Sequence, residues 1–234
     1  MKKYTYLLLS FCVSCKNYLG TISLKYAGVY DDSEVLHTAD YNNKKIVFVP
    51  MHHLGTESFY SDVKNKIDSL KKENYYFIYE QVSANKIDET FAKKLRKFLK
   101  TPLSTDGSYV NEYKTMFPNI KYEKPLIDQP SYKELGLSVE NSERVDVDYK
   151  DLVDYYENKH GEIKLTDCDY KTSVYERYTK CKEGKKIPLH KRNDIIINFR
   201  NDFVVKYVKE SPQEKIAIVY GAEHMKGILK GLKE

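Results

Sequence analysis

Four consecutive apolar residues, 46–49, follow two lysines and precede Pro50. A short, uninterrupted run of β-favouring apolar residues is typical of a strand covered on both faces. The pattern predicts a buried strand that ends at Pro50, because proline has no N–H to donate to a strand ladder. His53 follows the strand, and residues 58–72 then carry apolar side chains at helical spacing. The order predicted here is strand, histidine loop, helix.

The same order recurs near the C-terminal end of the chain. Residues 216–220 form a second apolar run after Lys215, His224 follows a few residues later, and apolar residues at helical spacing come next. In open α/β sheets, ligands bind beyond the carboxyl ends of the strands, so a titratable residue at such an end is a candidate site residue. The alternative is a chance echo between two ordinary strand and helix units.

A third strand is predicted at residues 75–79, and Glu80 follows it directly. Strands joined through a helix are normally parallel, so Glu80 is expected at the same sheet edge as His53. The alternative is a solvated carboxylate at the end of a strand.

Two further stretches have helical periodicity. Residues 87–100 predict an amphipathic helix with lysines on its polar face. Residues 193–208 predict one long helix whose buried stripe consists of positions 196, 199, 203 and 207. Arg200 falls beside this stripe, which would let its guanidinium reach inward; an ion pair at the surface is the alternative.

Aliphatic periodicity weakens between residues 101 and 190, where tyrosine, aspartate, lysine and proline are frequent. Long excursions from a compact sheet are usually functional lids or disordered segments. We therefore expect an insertion at about 101–190 that acts as a lid, with short helices near 132–137, 149–158 and 174–181.

The first 15 residues have the pattern of an export signal. Two lysines precede a short apolar run, and a small residue then precedes Cys15. The pattern predicts a signal peptide of the lipoprotein type and an exported protein of the cell envelope, anchored to the membrane through lipidated Cys15. Plain secretion and a retained N-terminal strand are the alternatives.

Export would place Cys168 and Cys181 in an oxidising compartment, where a disulfide is permitted. Closing a loop of about a dozen residues would stabilise the fold by roughly 3 kcal/mol. Two separate free thiols are the alternative.

Length and charge set wider limits. The 234 residues suffice for a sizeable core, and alternating strands and helices predict a single α/β domain over residues 16–234. The formal net charge of +5 arises from 39 basic and 34 acidic residues that are interspersed. No dense basic block or nucleic-acid motif accompanies this charge, so a nucleic-acid partner is not predicted.

Several of these segments together resemble the TraB/GumN group of the TIKI and EreA/ChaN-like superfamily. The segments are residues 50–55 (PMHHLG), 79–80 (YE), 200–201 (RN) and 221–228 (GAEHMKGI). The resemblance covers about a third of the chain, and segment 221–228 is its most specific part. It implies a mostly parallel sheet flanked by helices and built from two related halves. Each half would contribute a G-x-x-H motif to a shared cleft.

The resemblance also implies roles for individual residues. His53 and His224 would be the two motif histidines, Glu80 the acidic residue and Arg200 the arginine of the family. One departure is Pro50, which stands where the first motif normally has glycine. Any role of that glycine backbone in approaching a substrate or metal is therefore in doubt here.

The implied activity is hydrolysis of a peptide or small-molecule ester. In the metal-dependent form, His53, His224 and Glu80 would hold Mn, Co or Zn, which would activate water. In the metal-free form, His53 would act as base, Glu80 would orient it, and Arg200 would stabilise the oxyanion. Substrate contacts are assigned to Glu223 and Asn201.

A different class of function is compatible with the same fold. Members of the superfamily include haem-binding proteins, and the chain contains 22 tyrosines and no tryptophan. The alternative function is therefore non-catalytic binding of haem, a small ligand or a peptide.

Overall fold

The computed structural model describes residues 24–83, 87–101, 103, 111, 122–176 and 187–234. The predicted signal segment and Cys15 lie outside these residues. Within the described ranges, no helix combines the length and the apolar character that a membrane crossing requires.

Contacts divide the chain into two compact units. The first unit contains the described parts of 1–35, 51–73 and 107–137, and the second contains those of 36–50, 74–106 and 138–234. The stretch 101–190, expected to be an insertion, is thus divided between the two units. Of the predicted site residues, His53 belongs to the first unit, whereas Glu80, Arg200 and His224 belong to the second.

The larger sheet has the strand order β1-β2-β7-β4-β6. Its strands are β1 (His37–Tyr41), β2 (Lys44–Met51), β4 (Tyr76–Tyr79), β6 (Ser142–Arg144) and β7 (Lys215–Gly221). Strand β4 pairs in parallel with both β7 and β6, and β1 pairs with β2 in the antiparallel sense. The predicted α/β class with a mostly parallel sheet flanked by helices is confirmed.

Strand β2 is buried continuously from Ile46 to Met51. It passes through Pro50, so the prediction that the strand ends at this proline is wrong. Proline removes a single N–H from the ladder and keeps its carbonyl, so an extended backbone can continue past it.

Several predicted helices are confirmed. They are α1 (Glu57–Lys72), α2 (Glu89–Leu99) and α3 (Tyr149–His160). The side chains of Thr56 and Asp88 cap the first two by accepting a backbone N–H of the first turn. A short helix that was not predicted, α4 (Asp167–Lys171), follows α3.

Two predicted short helices have other outcomes. Residues 132–136 form turns, where Gly136 has φ of +91°, a conformation that interrupts a right-handed helix. The prediction at 132–137 is therefore wrong. The prediction at 174–181 falls mostly outside the described residues, and 174–176 form a turn and a bend.

The long helix predicted at 193–208 consists of three parts. They are α5 (Leu189–Asn193), a π-helical turn (Asp194–Phe199) and α6 (Arg200–Glu210). The buried positions are Ile195, Arg200, Asn201, Val204 and Val208, whereas Phe203 is 42% exposed. The predicted stripe is wrong because the π turn winds in one more residue than an α turn does and shifts the phase of everything after it.

Helix α7 (Ala222–Gly231) begins immediately after β7. The core beside this part of the sheet joins strands β2, β4 and β7 to helices α6 and α7. Its buried members are Ile46, Phe48, Ile78, Val145, Val204, Val208, Ile216, Ile218, Tyr220, Ile228 and Leu232. This packing fixes the ends of β4 and β7 against α6.

A second core cluster of the same unit lies under helices α2 and α3. Its buried members are Leu95, Phe98, Val147, Leu152, Val153, Tyr156, Ile163, Ile187 and Ile195. Beside it, Asp169 is fully buried, and its Oδ2 accepts a hydrogen bond of 2.6 Å from Nζ of Lys97. The adjacent Cys168 is disulfide-bonded. Its partner cysteine lies outside the described residues.

The first unit has its own small sheet and core. Strands β3 (Leu54–Gly55) and β5 (Ile127–Asp128) pair in the antiparallel sense. Leu24, Val29, Tyr30 and Leu54 form its buried cluster. The backbone N–H of Gln129 donates to the carbonyl of His53 at 3.1 Å.

Candidate functional site

Glu80 and His224 lie at the same edge of the larger sheet. Glu80 directly follows β4, and its backbone N–H donates to the carbonyl of Val219 in β7 at 3.2 Å. His224 lies in the first turn of α7, three residues after β7 ends at Gly221. Because β4 and β7 are parallel neighbours, their carboxyl ends bring the two side chains together, with His224 Nε2 3.8 Å from Glu80 Oε1.

Arg200 connects the two strand ends. Its Nη2 donates to Glu80 Oε1 at 2.7 Å, and its Nη1 lies 3.2 Å from Nε2 of His224. The guanidinium is 4% exposed and therefore points inward. Of the two possibilities for Arg200 left open by the sequence, the structure shows the inward one.

Asp146 is a member of this cluster that sequence reasoning missed. Its Oδ1 and Oδ2 accept hydrogen bonds from Nε and Nη2 of Arg200 at 2.9 and 2.6 Å. Such a two-pronged contact holds a guanidinium in one plane. Asp146 follows β6, the edge strand contributed by the stretch that was expected to be an insertion. The alternation of Val145, Asp146 and Val147 was the available sequence signal for an extended segment there.

The partners of His224 determine its tautomer. A guanidinium carries donors only, so Nε2 of His224 must accept from Arg200. The ring is then neutral with its proton on Nδ1, which donates to Oδ1 of Asn201 at 2.7 Å. The ring of Tyr220 contacts the imidazole edge to face at a centroid distance of 5.1 Å. We call Glu80, Asp146, Arg200, Asn201 and His224 the polar cluster.

Two glycines permit these close contacts. The N–H of Gly221 donates to Glu80 Oε2 at 2.6 Å, and a Cβ at this position would lie 2.9 Å from the same oxygen. At Gly227 a Cβ would lie 2.1 Å from Nδ2 of Asn201. The first glycine of the segment 221–228 therefore binds the acidic residue through its backbone N–H. Pro50, at the matching place in the first motif, has no N–H for such a bond.

The polar cluster is buried and charged. Burial disfavours the charged guanidinium of Arg200, but its hydrogen bonds to Asp146 and the charge of Glu80 outweigh burial and raise its pKa above the usual value. Burial, followed by the charge of Asp146, also raises the pKa of the Tyr220 hydroxyl well above its usual range. The carboxyl groups of Glu80 and Asp146 both face this one guanidinium.

The remaining predicted residues have the following settings. His53 is exposed and lies in the first unit, and Glu223 is exposed on α7. Asn201, predicted to contact substrate, contacts His224 instead. His52, expected to be a packing residue, places its ring 5.2 Å from that of Phe59.

A metal ion does not fit the polar cluster as it is arranged. Both ring nitrogens of His224 face protein partners, and both oxygens of Glu80 accept N–H groups. Across the described ranges, no group of three or more His, Cys, Asp or Glu side chains is placed to hold a metal.

Comparisons with known proteins add no assignment: no family model, no curated protein and no solved structure matches this chain.

Proposed function

We propose that the chain is a hydrolase of peptides or small esters, as its resemblance to the TraB/GumN group implies, and that the polar cluster is its reaction centre. The observation that carries this proposal is the neutral, buried imidazole of His224, whose Nε2 lone pair faces Arg200 and Glu80. Burying such charged and polar groups costs several kcal/mol, a cost that active sites often bear.

The proposed chemistry follows from the fixed tautomer. When the contact between Arg200 and His224 opens, a water molecule that replaces Nη1 beside Nε2 would donate its proton to Nε2, while Asn201 holds the ring through Nδ1. The hydroxide attacks the substrate carbonyl, whose electrons move to its oxygen, and Arg200 stabilises that oxyanion. Collapse of the intermediate breaks the bond to the leaving group, which takes the proton back from Nε2. Glu80 stabilises the transient imidazolium.

Several finer features belong to the same proposal. The segments around His53 and His224 are proposed to be related halves, and residues 101–190 to act as a cover. In the first segment Thr56 caps α1, whereas in the second α7 begins directly after β7. We also propose that Cys15 is lipidated and that the protein is located in the cell envelope. Mass spectrometry of the processed N-terminus would test that location.

The test uses the full chain on a panel of nitrophenyl esters and fluorogenic peptides. We expect turnover that falls by about 10²–10⁴-fold in His224→Gln. His190→Gln is the matched control, because this histidine is exposed on α5. Turnover that is equal in both variants, or no turnover by a folded protein on the whole panel, would contradict the proposal.

Metal content is measured on the same samples, together with His53→Gln. Stoichiometric Mn, Co or Zn that is lost in both His53→Gln and His224→Gln would support the metal-dependent form and reject the base mechanism given above. Turnover that persists in a metal-depleted sample would support the base mechanism.

A further inference from the structure

A cavity of about 760 Å³ lies in the second unit near the end of α3. Its lining includes Lys97, His160, Lys164 and Lys191, and among the lining residues that the structure describes Glu162 is the one acidic side chain. None of the residues of the polar cluster lines it. A cavity of this size suits a small organic ligand.

The basic side chains of the cavity differ in how they are held. Lys97 is 2% exposed, and its ammonium donates to Asp169 at 2.6 Å and to the carbonyl of Lys164 at 2.8 Å. An ammonium has three donors, so one N–H of Lys97 remains after these two bonds. Lys164 and Lys191 are more exposed and make no ion pair within the described ranges. Cationic groups therefore outnumber anionic ones around the cavity.

His160 adds an unsatisfied polar atom. Its Nε2 is buried and has no hydrogen-bond partner among the residues that the structure describes. Buried polar atoms are normally hydrogen-bonded, so each exception requires an explanation. A ligand in the cavity that accepts this N–H is one such explanation.

The remaining lining is apolar. The side chains of Ile163 and Ile187 are 3% and 6% exposed and belong to the core cluster under α3. The ring of Tyr156 lies 5.1 Å from that of His160 at an angle of 54°. The apolar part of a ligand here would contact the apolar and aromatic surface, and its polar head group would contact the cationic side chains.

We propose that this cavity binds a small organic anion, a carboxylate or phosphate ester on a flat apolar body. The head contacts Lys97, Lys164 and Lys191 and accepts the N–H of His160, and the body packs against Tyr156 and the two isoleucines. The site is independent of the proposed hydrolase chemistry, because the two share no residue.

The first experiment is calorimetric titration of the full chain with benzoate, phenyl phosphate and benzamide. Benzamide has the shape of benzoate without its charge. We expect the anions to bind at millimolar or lower concentration and benzamide to bind at least about tenfold more weakly. The anion that binds more tightly shows whether the site prefers a carboxylate or a phosphate ester as the head group. Equal binding of benzoate and benzamide, or no binding of either anion, would overturn the proposal.

The second experiment compares two double variants with the same loss of charge. Lys164→Gln/Lys191→Gln should weaken binding of the stronger anion by about tenfold, because two cationic contacts are removed. Lys226→Gln/Lys233→Gln changes two exposed lysines of the C-terminal helix region that do not line the cavity, and should leave the affinity unchanged. An equal loss of affinity in both variants would show that only the net charge of the protein matters, and would reject the site.

A third measurement on the native sequence does not depend on any variant. Burial, then the charges of Lys191 and Lys159, lowers the pKa of His160 in the free protein. A bound anion would favour the protonated ring, so the pKa of His160 measured by NMR should rise on saturation with the anion. A pKa that stays constant or falls would contradict contact between the anion and His160.

Discussion

Nη1 of Arg200 lies 3.2 Å from Nε2 of His224, and this single contact defines the chemical state of the imidazole. Because the guanidinium can only donate, Nε2 must carry a lone pair and the proton must be on Nδ1. Oδ1 of Asn201 accepts a hydrogen bond from Nδ1 at 2.7 Å, so both ring nitrogens are held by protein partners. A histidine acts as a base through the lone pair of its neutral ring, and this tautomer places that lone pair on Nε2.

Removing the arginine should destabilise the protein strongly. Arg200→Met leaves the buried carboxylate of Asp146 and the partly buried one of Glu80 without their main partner. We expect a loss of about 3–5 kcal/mol in the free energy of unfolding, measured with urea. The double variant Arg200→Met/Asp146→Leu should recover part of this loss, because it also removes one stranded charge.

Arg192→Met is the control for that measurement. Arg192 donates from Nη1 to the carbonyl of Leu99 at 3.0 Å and makes no ion pair within the described ranges. The expected loss is about 1 kcal/mol. A loss for Arg200→Met no larger than this would show that the charges of the polar cluster are not coupled as described.

Gly227→Ala tests the packing behind His224. In an ordinary helix this change stabilises by roughly 1 kcal/mol. Here the new Cβ would lie 2.1 Å from Nδ2 of Asn201 and displace that side chain. We expect a lower free energy of unfolding, together with a changed Nδ1 shift of His224 in ¹⁵N NMR.

Lys230→Ala, at an exposed position of the same helix, should change neither quantity appreciably. Stabilisation by Gly227→Ala with an unchanged His224 signal would contradict the packing argument.

His52 should make stability depend on pH. Burial lowers its pKa below the usual 6.5, and the charges of Glu34 and Asp31 only partly offset this. The unfolded chain therefore binds the proton more readily than the folded chain, and the free energy of unfolding falls as the pH drops through and below about 6.5. Above that pH the contribution of His52 is constant.

Urea unfolding at several pH values between about 5 and 8 measures this dependence. His52→Gln should flatten the curve on its acidic side, whereas His190→Gln, at an exposed position, should leave it unchanged. A steeper acidic fall in His52→Gln would mean that the pKa of His52 is raised rather than lowered.

The disulfide at Cys168 can be mapped directly. Peptide mass spectrometry without reduction should recover Cys168 joined to Cys181, the pairing that the sequence left open. Reduction should then lower the free energy of unfolding by roughly 3 kcal/mol. A Cys168 peptide that is free in the unreduced protein, or joined to another cysteine, would reject this pairing.

The sequence was sufficient for the residues whose signals are local. An apolar run with a polar residue at its end or a few residues beyond located Glu80 and His224, and both lie at the edge where parallel strands end. The parallel-sheet rule supplied their proximity without any contact information. No local signal predicted Asp146, which binds Arg200 beside them.

Asp146 was missed because its position depends on a distant partner. Strand β6 is three residues long, and it joins the sheet only by pairing with β4, more than 60 residues earlier. Short edge strands in polar sequence have little periodicity to detect. The surrounding stretch was therefore interpreted as an insertion.

The inward direction of Arg200 was uncertain for a different reason. Ile195, Ile196 and Ile197 are consecutive, so an apolar residue is available for almost any helical phase. The π turn determines which of these faces points inward, and the apolar pattern does not predict a π turn. Both uncertainties concern geometry between elements rather than the elements themselves.

The π turn also means that the spacing along the chain, and not only the identity of its side chains, holds the guanidinium in place. Ile195 and Arg200 both face inward across the turn, and Val204 continues that face one α-helical turn later. If the same residues were wound as a regular α-helix, Arg200 would be carried about 100° around the axis, away from the face of Ile195. A change that removed the π turn without a deletion would thus abolish the polar cluster while leaving every one of its residues in the sequence, whereas deleting one residue within the turn would keep Arg200 on the face of Ile195.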